Sequence, residues 1–138
     1  MEDQVQQKLE DAPILSNLGD QSEVIIVYVT VPSQEKAEEL GSLLVEKKLI
    51  ACANIIPGLT SIYSWKNEIC VNHLEYQTIQ QKDKEFLIMM KTRKNVFQEL
   101  VNTVKANHPY ECPEVISVNI QDAYQPYYNW VLEETKKN

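Results

Sequence analysis

Potential metal ligands are concentrated in one short stretch, NHPYECPEV, which runs from Asn107 to Val115. It places His108, Glu111 and Cys112 beside two prolines, and imidazole, carboxylate and thiolate are groups through which proteins bind transition metals. The alternative interpretation is a stiff connector that leads the chain into a strand. Taken by itself, the stretch supports both interpretations.

The spacing limits how these side chains cooperate. In an extended segment His108 and Cys112 face one way and Glu111 faces the other. His108 and Glu111 therefore meet on one ion only if the backbone bends or if different subunits supply them. A structural zinc site needs four ligands at spacings such as C-x-x-C or H-x-x-x-H, which the sequence lacks. Cys52 can add a soft ligand from a predicted strand, and sulfur with imidazole suits copper or zinc, with copper favoured by raw affinity.

Catalytic chemistry has weaker support in the sequence. Cys52 and Cys112 are candidate nucleophiles with His73 and His108 as possible bases, but sequence spacing alone does not identify a catalytic triad. The chain has three glycines, none of them clustered, so it carries no glycine-rich phosphate loop. These residues alone therefore give no reason to predict an enzyme.

Aromatic residues cluster in two short segments. They are Tyr63 and Trp65 in the first segment, and Tyr124, Tyr127, Tyr128 and Trp130 in the second. Tyrosine and tryptophan are enriched at subunit interfaces, and an exposed strand edge at LTSIYSW needs covering. We therefore predict self-association in preference to a stacking site for a ligand, and the stacking site stays open as the alternative.

Size and charge exclude several classes of protein. The 138 residues suit one compact domain, and the net charge of -7 argues against a nucleic-acid partner. Three cysteines without a C-x-x-C pair indicate a reducing compartment. The N-terminus is acidic where a signal peptide is basic, and no apolar run reaches the roughly 18 residues of a membrane helix. We predict a soluble, cytoplasmic protein with no membrane span.

Hydrophobic patterning predicts four strands and three helices. The strands are EVIIVYVTV (23–31), LIACANII (49–56), EFLIMMKT (85–92) and EVISVNI (114–120), and the helices follow Ser33, lie within 93–107, and lie within 122–137. This order forms two β-α-β units plus a C-terminal helix. It predicts an α+β ferredoxin-like sandwich, with an antiparallel sheet covered on one face by helices.

The domain boundary is predicted from the loss of pattern at the N-terminus. Residues 1–22 are polar and mostly without periodicity, which indicates a flexible tail, and residues 23–138 form the single domain. The small alanines of LIACANII indicate that another element packs close above that strand. The stretch from Glu68 to Lys84 gives no clear pattern.

Several blocks of sequence resemble one family. ACANIIPGLTSIYSWKNEI closely resembles the signature of the divalent-cation-tolerance (CutA) family. KTR at 91–93, HPYECPEVI at 108–116 and YYNWV at 127–131 match its later blocks in the same order. The resemblance extends over residues 23–135, and a set of ordered blocks is more specific than any single motif.

The resemblance implies a ferredoxin-like fold assembled as a tight homotrimer similar in shape to the P-II signalling proteins. It implies a non-enzymatic role in tolerance of divalent metals, with copper the ion most often invoked. Relatives in animals are linked to anchoring or trafficking of acetylcholinesterase. Two alternatives follow: a scaffold or trafficking protein for such a partner, and a P-II-like sensor of small molecules.

Matching by position transfers the family's residues to this chain. Cys52, His108 and Glu111 match the residues discussed as metal ligands. The resemblance assigns Tyr63, Trp65, Tyr128 and Trp130 to the cleft between subunits. Two features depart from the family: the connection 68–84 is longer than its short hairpin, and Cys112 is not part of its motif.

Overall fold

The computed structural model describes residues 13–65, 68–71, 74–75 and 85–137; of residues 65, 68–71 and 74–75 it describes the backbone alone. The strands are β1 (Ile14–Leu15), β2 (Val24–Val31), β3 (Cys52–Leu59), β4 (Ile62–Trp65), β5 (Glu68–Val71), β6 (Leu74–Glu75), β7 (Glu85–Arg93), β8 (Val115–Asn119) and β9 (Ala123–Tyr124). The α-helices are α1 (Gln34–Glu46), α2 (Phe97–Asn107) and α3 (Gln125–Glu134).

The main sheet has four antiparallel strands in the order β3-β7-β2-β8. Helix α1 connects β2 to β3 and helix α2 connects β7 to β8, so the chain forms two β-α-β units. Strand β7 lies between β2 and β3, as the ferredoxin-like sandwich requires. The predicted α+β class with an antiparallel sheet is confirmed.

One face of this sheet packs against α1 and α2 and forms the main core. Alternate residues of β2 point into it, because successive side chains of a strand lie on opposite faces. The fully buried members with the largest side chains are Ile25, Val27, Val29, Val31, Leu40, Leu44, Leu49, Ile50, Ile88, Met90, Leu100 and Val104. These alternating and helically spaced apolar residues are the ones from which the strands and helices were predicted.

Helix α1 lies very close to β3. It begins after Ser33, whose side-chain oxygen accepts a hydrogen bond from the Lys36 amide at 3.0 Å. A Cβ atom added at Gly41 would lie 3.3 Å from the Ala53 Cβ atom, which is tighter than ordinary packing. The prediction that small alanines in this strand indicate close packing is therefore confirmed.

The other face of the sheet, which we call the open face, is only partly covered. Helix α3 packs across one end, where Val24, Ala51, Tyr128 and Val131 form a second apolar cluster. Beyond it, Ile26, Tyr28, Leu87, Met89, Ile116 and Val118 lie on this face by the strand register. Of these, Ile116 and Val118 on the edge strand β8 are 51% and 41% exposed. In the middle of the open face, Ile26, Tyr28, Leu87 and Met89 are partly exposed.

The N-terminal stretch divides into two parts. Residues 1–12 of the predicted tail lie outside the described residues. Residues 13–22 contain β1, which pairs antiparallel with β9, and a 3-10 turn at Gly19–Gln21. Strand β1 and this turn lie ahead of residue 23, at which the sequence analysis places the start of the domain. No helix in the part of the chain that is described has the length and apolar character to cross a membrane.

Strand β3 is interrupted near its end. Pro57 and Gly58 lie inside it, the pairing with β7 shifts register between Ile56 and Leu59, and Gly58 has a φ of 82°. The structure has one strand with a bulge, followed by β4 in a separate three-stranded sheet with β5 and β6.

Candidate functional site

The NHPYECPEV stretch forms the connection between α2 and β8. Helix α2 ends at Asn107 and His108 has extended backbone angles, since the proline that follows disfavours helical geometry there. The chain then turns through residues 109–114 before β8 begins at Val115. The connector interpretation is thus correct for the backbone of this stretch.

The His108 imidazole holds this turn against the end of β2. Its Nε2 atom lies 2.7 Å from the Thr30 carbonyl oxygen, and its Nδ1 atom lies 3.1 Å from the Tyr110 amide nitrogen. A carbonyl can only accept and a backbone amide can only donate, so the hydrogen is on Nε2 and Nδ1 accepts. The side chain is only 9% exposed. A metal ion can bind this ring only by displacing one of the two hydrogen bonds.

Tyr110 connects the same turn to a buried carboxylate. Its hydroxyl donates to Glu85 Oε1 at 3.4 Å, and the Ser61 hydroxyl donates to Glu85 Oε2 at 3.2 Å. Glu85 is 2% exposed. Burial raises the pKa of the Tyr110 phenol well above its usual value, and the charge and hydrogen bond of Glu85 raise it further. Glu85 thereby connects the NHPYECPEV stretch to the start of β4.

A cleft of about 490 Å³ opens at this end of the open face. Its lining consists of Thr30, Thr60, Ser61, Ile62, Tyr63, Glu85, Tyr110, Cys112 and Glu114. The charged members of this lining, Glu85 and Glu114, are both acidic, so the cleft favours cations over anions. Glu111 is exposed on the same turn.

Cys52 lies at the opposite end of the open face, under α3. Its Sγ atom is 3.5 Å from the Tyr127 hydroxyl oxygen, and its neighbour on β7 is Lys91. Lys91 Nζ donates a hydrogen bond to the Asn54 side-chain oxygen. Burial raises the pKa of Tyr127 to about 12, and the hydrogen bond and charge of Cys52 contribute to the increase.

One chain does not bring the predicted ligands together. Thr30, which holds His108, lies opposite Leu87 on β7, whereas Cys52 lies opposite Lys91. The four intervening steps along β7 correspond to about 13 Å at roughly 3.3 Å per residue. Among the described residues, no three His, Cys, Asp or Glu side chains are grouped closely enough to hold a metal ion.

The predicted interface aromatics lie in different surroundings. Tyr63 is half-buried and lines the cleft. Tyr128 is buried in the second apolar cluster, where its hydroxyl accepts a hydrogen bond from the Glu23 amide at 2.8 Å. Trp130 is 41% exposed, and its ring centroid is 5.6 Å from that of Tyr127. Trp65 ends β4, and its side chain is outside the described part of the structure.

The ionisation of Tyr127 gives a pH-dependence prediction. The folded chain holds this phenol proton more tightly than the unfolded chain, in which the pKa is 10.0. Its contribution to stability is therefore fully present below pH 10 and is lost as the pH rises through about 12. We expect a tyrosinate absorbance titration of the native protein to contain a late transition near pH 12 that disappears in Tyr127→Phe, whereas the still later ionisation of Tyr110 remains in that variant and both are lost in denaturant. A variant that still showed the same late transition would contradict this prediction.

Comparison with known proteins identifies the family. The family model described as CutA1 divalent ion tolerance protein matches residues 25–134, which is most of the chain. The chain belongs to the CutA1 divalent ion tolerance family. The family resemblance found in the sequence is thus confirmed.

Individual relatives agree with this assignment. The divalent-cation tolerance protein CutA of Thermus thermophilus is 40% identical over 110 residues, which are 80% of this chain and 96% of that protein. Human Protein CutA is 37% identical over 113 residues, and the match spans 82% of this chain but only 57% of the human protein. The name of the Thermus relative states tolerance of divalent cations and no reaction.

Solved structures of the family share the fold. The divalent cation tolerance protein of Thermus thermophilus superposes with a TM-score of 0.71 at 39% identity, covering 82% of this chain and 99% of that one. CutA1 of Oryza sativa gives a TM-score of 0.72 at 36% identity, covering 83% and 95%. The α+β architecture with an antiparallel sheet and three helices is that of the CutA1 family.

Sequence reasoning missed three residues of the site. Glu85 begins a strand that was predicted as buried, and its acidic side chain at that position was the only signal in the sequence. Tyr127 was assigned to an aromatic cluster and not to Cys52, because 75 residues separate the two. Lys91 was part of a family block, and its pairing with Cys52 follows only from the strand register.

Proposed function

We propose that this CutA1-family protein is a homotrimer that binds a divalent cation, copper or another, between subunits and catalyses no reaction. The observation that carries the proposal is the open face. It is apolar in its middle, and its two ends carry the two groups of candidate ligands. When the open face packs against neighbouring subunits, its apolar middle is covered. The end that carries His108 and Glu111 in one subunit can then approach the end that carries Cys52 in another.

The argument for assembly rests on exposed apolar surface. Ile116 and Val118 belong to an edge strand, and both are more than 40% exposed in the single chain. A contiguous apolar patch rimmed by polar groups marks an interaction surface, and closed symmetric homo-oligomers are the commonest assemblies of soluble proteins. The P-II-like trimer implied by the resemblance would cover this apolar patch through three identical contacts.

The argument for a cation rests on the chemistry of the ligands. Glu111 and Cys52 offer a carboxylate and a thiol, and the acidic cleft lies beside the first of them. His108 is the third proposed ligand, and it binds an ion only after giving up its bond to Thr30 or Tyr110. Thiolate and imidazole suit copper among the divalent ions of the first transition row.

Light scattering and titration calorimetry test the proposal together. We expect a mass three times the 16.0 kDa of one chain. We expect Cys52→Ser and Glu111→Gln each to weaken Cu(II) or Zn(II) binding by about tenfold or more, since even outer-shell partners of metal sites have effects of that size. The matched control is Glu46→Gln, which makes the same exchange as Glu111→Gln at an exposed residue of α1, on the opposite face of the sheet, and should leave the affinity unchanged. A monomeric mass, or equal affinities for parent and both ligand variants, would refute the proposal.

These observations give less support to the other functions predicted from the sequence. The part of the chain that is described offers no feature that favours a scaffold for a partner such as acetylcholinesterase, or a P-II-like sensor, over cation binding. We place the protein in the cytoplasm as part of the same proposal, although the Arabidopsis relative is named as chloroplastic. Fractionation of the source cells tests that placement.

A further inference from the structure

The segment formed by residues 13–22 lies ahead of the region that matches the family model, which begins at residue 25. We call it the N-terminal clasp. Its strand β1 pairs with β9, with Ile14 opposite Tyr124 and Leu15 opposite Ala123. Strand β9 leads directly into α3, so the N-terminal clasp contacts the base of that helix.

Hydrogen bonds attach the N-terminal clasp along its length. The Leu18 amide donates to the Gln121 carbonyl at 2.9 Å, and the Gln125 amide donates to the Pro13 carbonyl at 3.2 Å. Between them, the Asn17 amide donates to the Asp122 carboxylate at 3.1 Å. The bonds fix the chain on both sides of β9.

Apolar contacts join the N-terminal clasp to the sheet as well. Leu15 and Leu18 pack against the second apolar cluster, whose members Tyr128 and Val131 belong to α3 and whose member Val24 belongs to β2. Removing either leucine side chain from this cluster exposes the contact between α3 and the sheet. The N-terminal clasp therefore contributes to the same packing that holds α3 in place.

Tyr127 of α3 in turn contacts Cys52, which is partly buried, with its hydroxyl oxygen 3.5 Å from Sγ. We propose that the N-terminal clasp keeps α3 closed over Cys52 and so limits the access of cations and other thiol-directed reagents to it. The proposal rests on the proposed function only where it names a cation as the physiological ligand of Cys52. The clasp itself is a property of the fold.

Thiol labelling of the full chain tests the clasp without any metal. In a Cys70→Ser, Cys112→Ser background, Cys52 is the only thiol, because the chain has three cysteines. We expect Leu15→Ser to accelerate labelling of Cys52 by iodoacetamide by about tenfold, since loss of the packing of one partly buried leucine raises the population of the open state by that order. The matched control is Ile14→Ser in the same strand. Ile14 is 59% exposed, so its replacement should leave the rate unchanged.

Hydrogen exchange separates a clasp from general destabilisation. In Leu15→Ser we expect faster exchange of amides in α3 and unchanged exchange in α2, whose buried residues belong to the main core. Equal labelling rates for Leu15→Ser and Ile14→Ser would overturn the proposal. So would faster exchange in both helices to the same extent. Neither the labelling nor the exchange measurement uses a cation, so both remain valid tests even if the protein binds no cation.

Discussion

Val118→Asp is expected to convert the proposed trimer into monomers. Val118 lies on the open face opposite Ile26, and its 41% exposure lets a single chain tolerate a carboxylate there. In a trimer the same carboxylate would be buried against a neighbouring subunit, and burying an unpaired charge costs several kcal/mol. Light scattering should therefore report a mass near 16.0 kDa in place of three times that value.

The control for this variant is Ser117→Asp. Ser117 is the preceding residue of β8, it is exposed, and its side chain lies on the other face of the sheet. It introduces the same charge without entering the proposed interface, so its mass should equal that of the parent. Circular dichroism and the thermal midpoint establish that both variants fold. A folded Val118→Asp variant that remained trimeric would show that the open face is not the interface.

His108→Ala is expected to lower the free energy of unfolding by about 2–4 kcal/mol, because it leaves the Thr30 carbonyl and the Tyr110 amide without the imidazole that bonds both. Urea denaturation at one fixed protein concentration measures this loss. The fixed concentration matters because the stability of an oligomer depends on it.

A second substitution separates the structural role of His108 from a ligand role. The side-chain amide of glutamine can donate to the Thr30 carbonyl much as Nε2 does, so His108→Gln should keep most of the stability. An amide is a poor ligand for copper or zinc compared with imidazole. We expect His108→Gln to bind Cu(II) more weakly than the parent at near-parental stability. If its affinity equals that of the parent, His108 holds the turn and does not bind the cation.

The main fold could be predicted because each of its strands and helices is specified by residues that are close together in the sequence. Strands β2 and β7 are runs of β-branched and other apolar residues of strand length, and α1 and α2 show apolar residues at helical spacing. The pairing order followed from the β-α-β connections, which leave few topologies open. The aromatic C-terminal segment was predicted as a helix within 122–137, and α3 is that helix, with a proline in its first turn.

The N-terminal clasp was not predictable in the same way. Strand β1 has two residues and finds its partner at Ala123–Tyr124, more than 100 positions along the chain. A polar segment with one short apolar pair gives no periodicity, so its order depends on a surface that only the folded domain provides.

The candidate site was only half predictable for a related reason. Residue types identified His108, Glu111 and Cys52, and the fold places them at the two ends of the open face. The partner of His108 is a backbone carbonyl, and every residue carries one, so the sequence gives no sign of which one is used. Glu85 was equally hidden, because its bonds to Tyr110 and Ser61 join parts of the chain that are distant in sequence.

The bulge in β3 protects the protein against aggregation into fibrils. Strand β3 is an edge of the four-stranded sheet, and a long flat edge is a template for unlimited strand addition. Pro57 has no amide hydrogen to offer, and the shift of register beside Gly58 bends the edge away from a flat pairing geometry. The strand is thereby protected against open-ended growth. Replacing Pro57 and Gly58 would lower the solubility of the chain before it disrupted the fold.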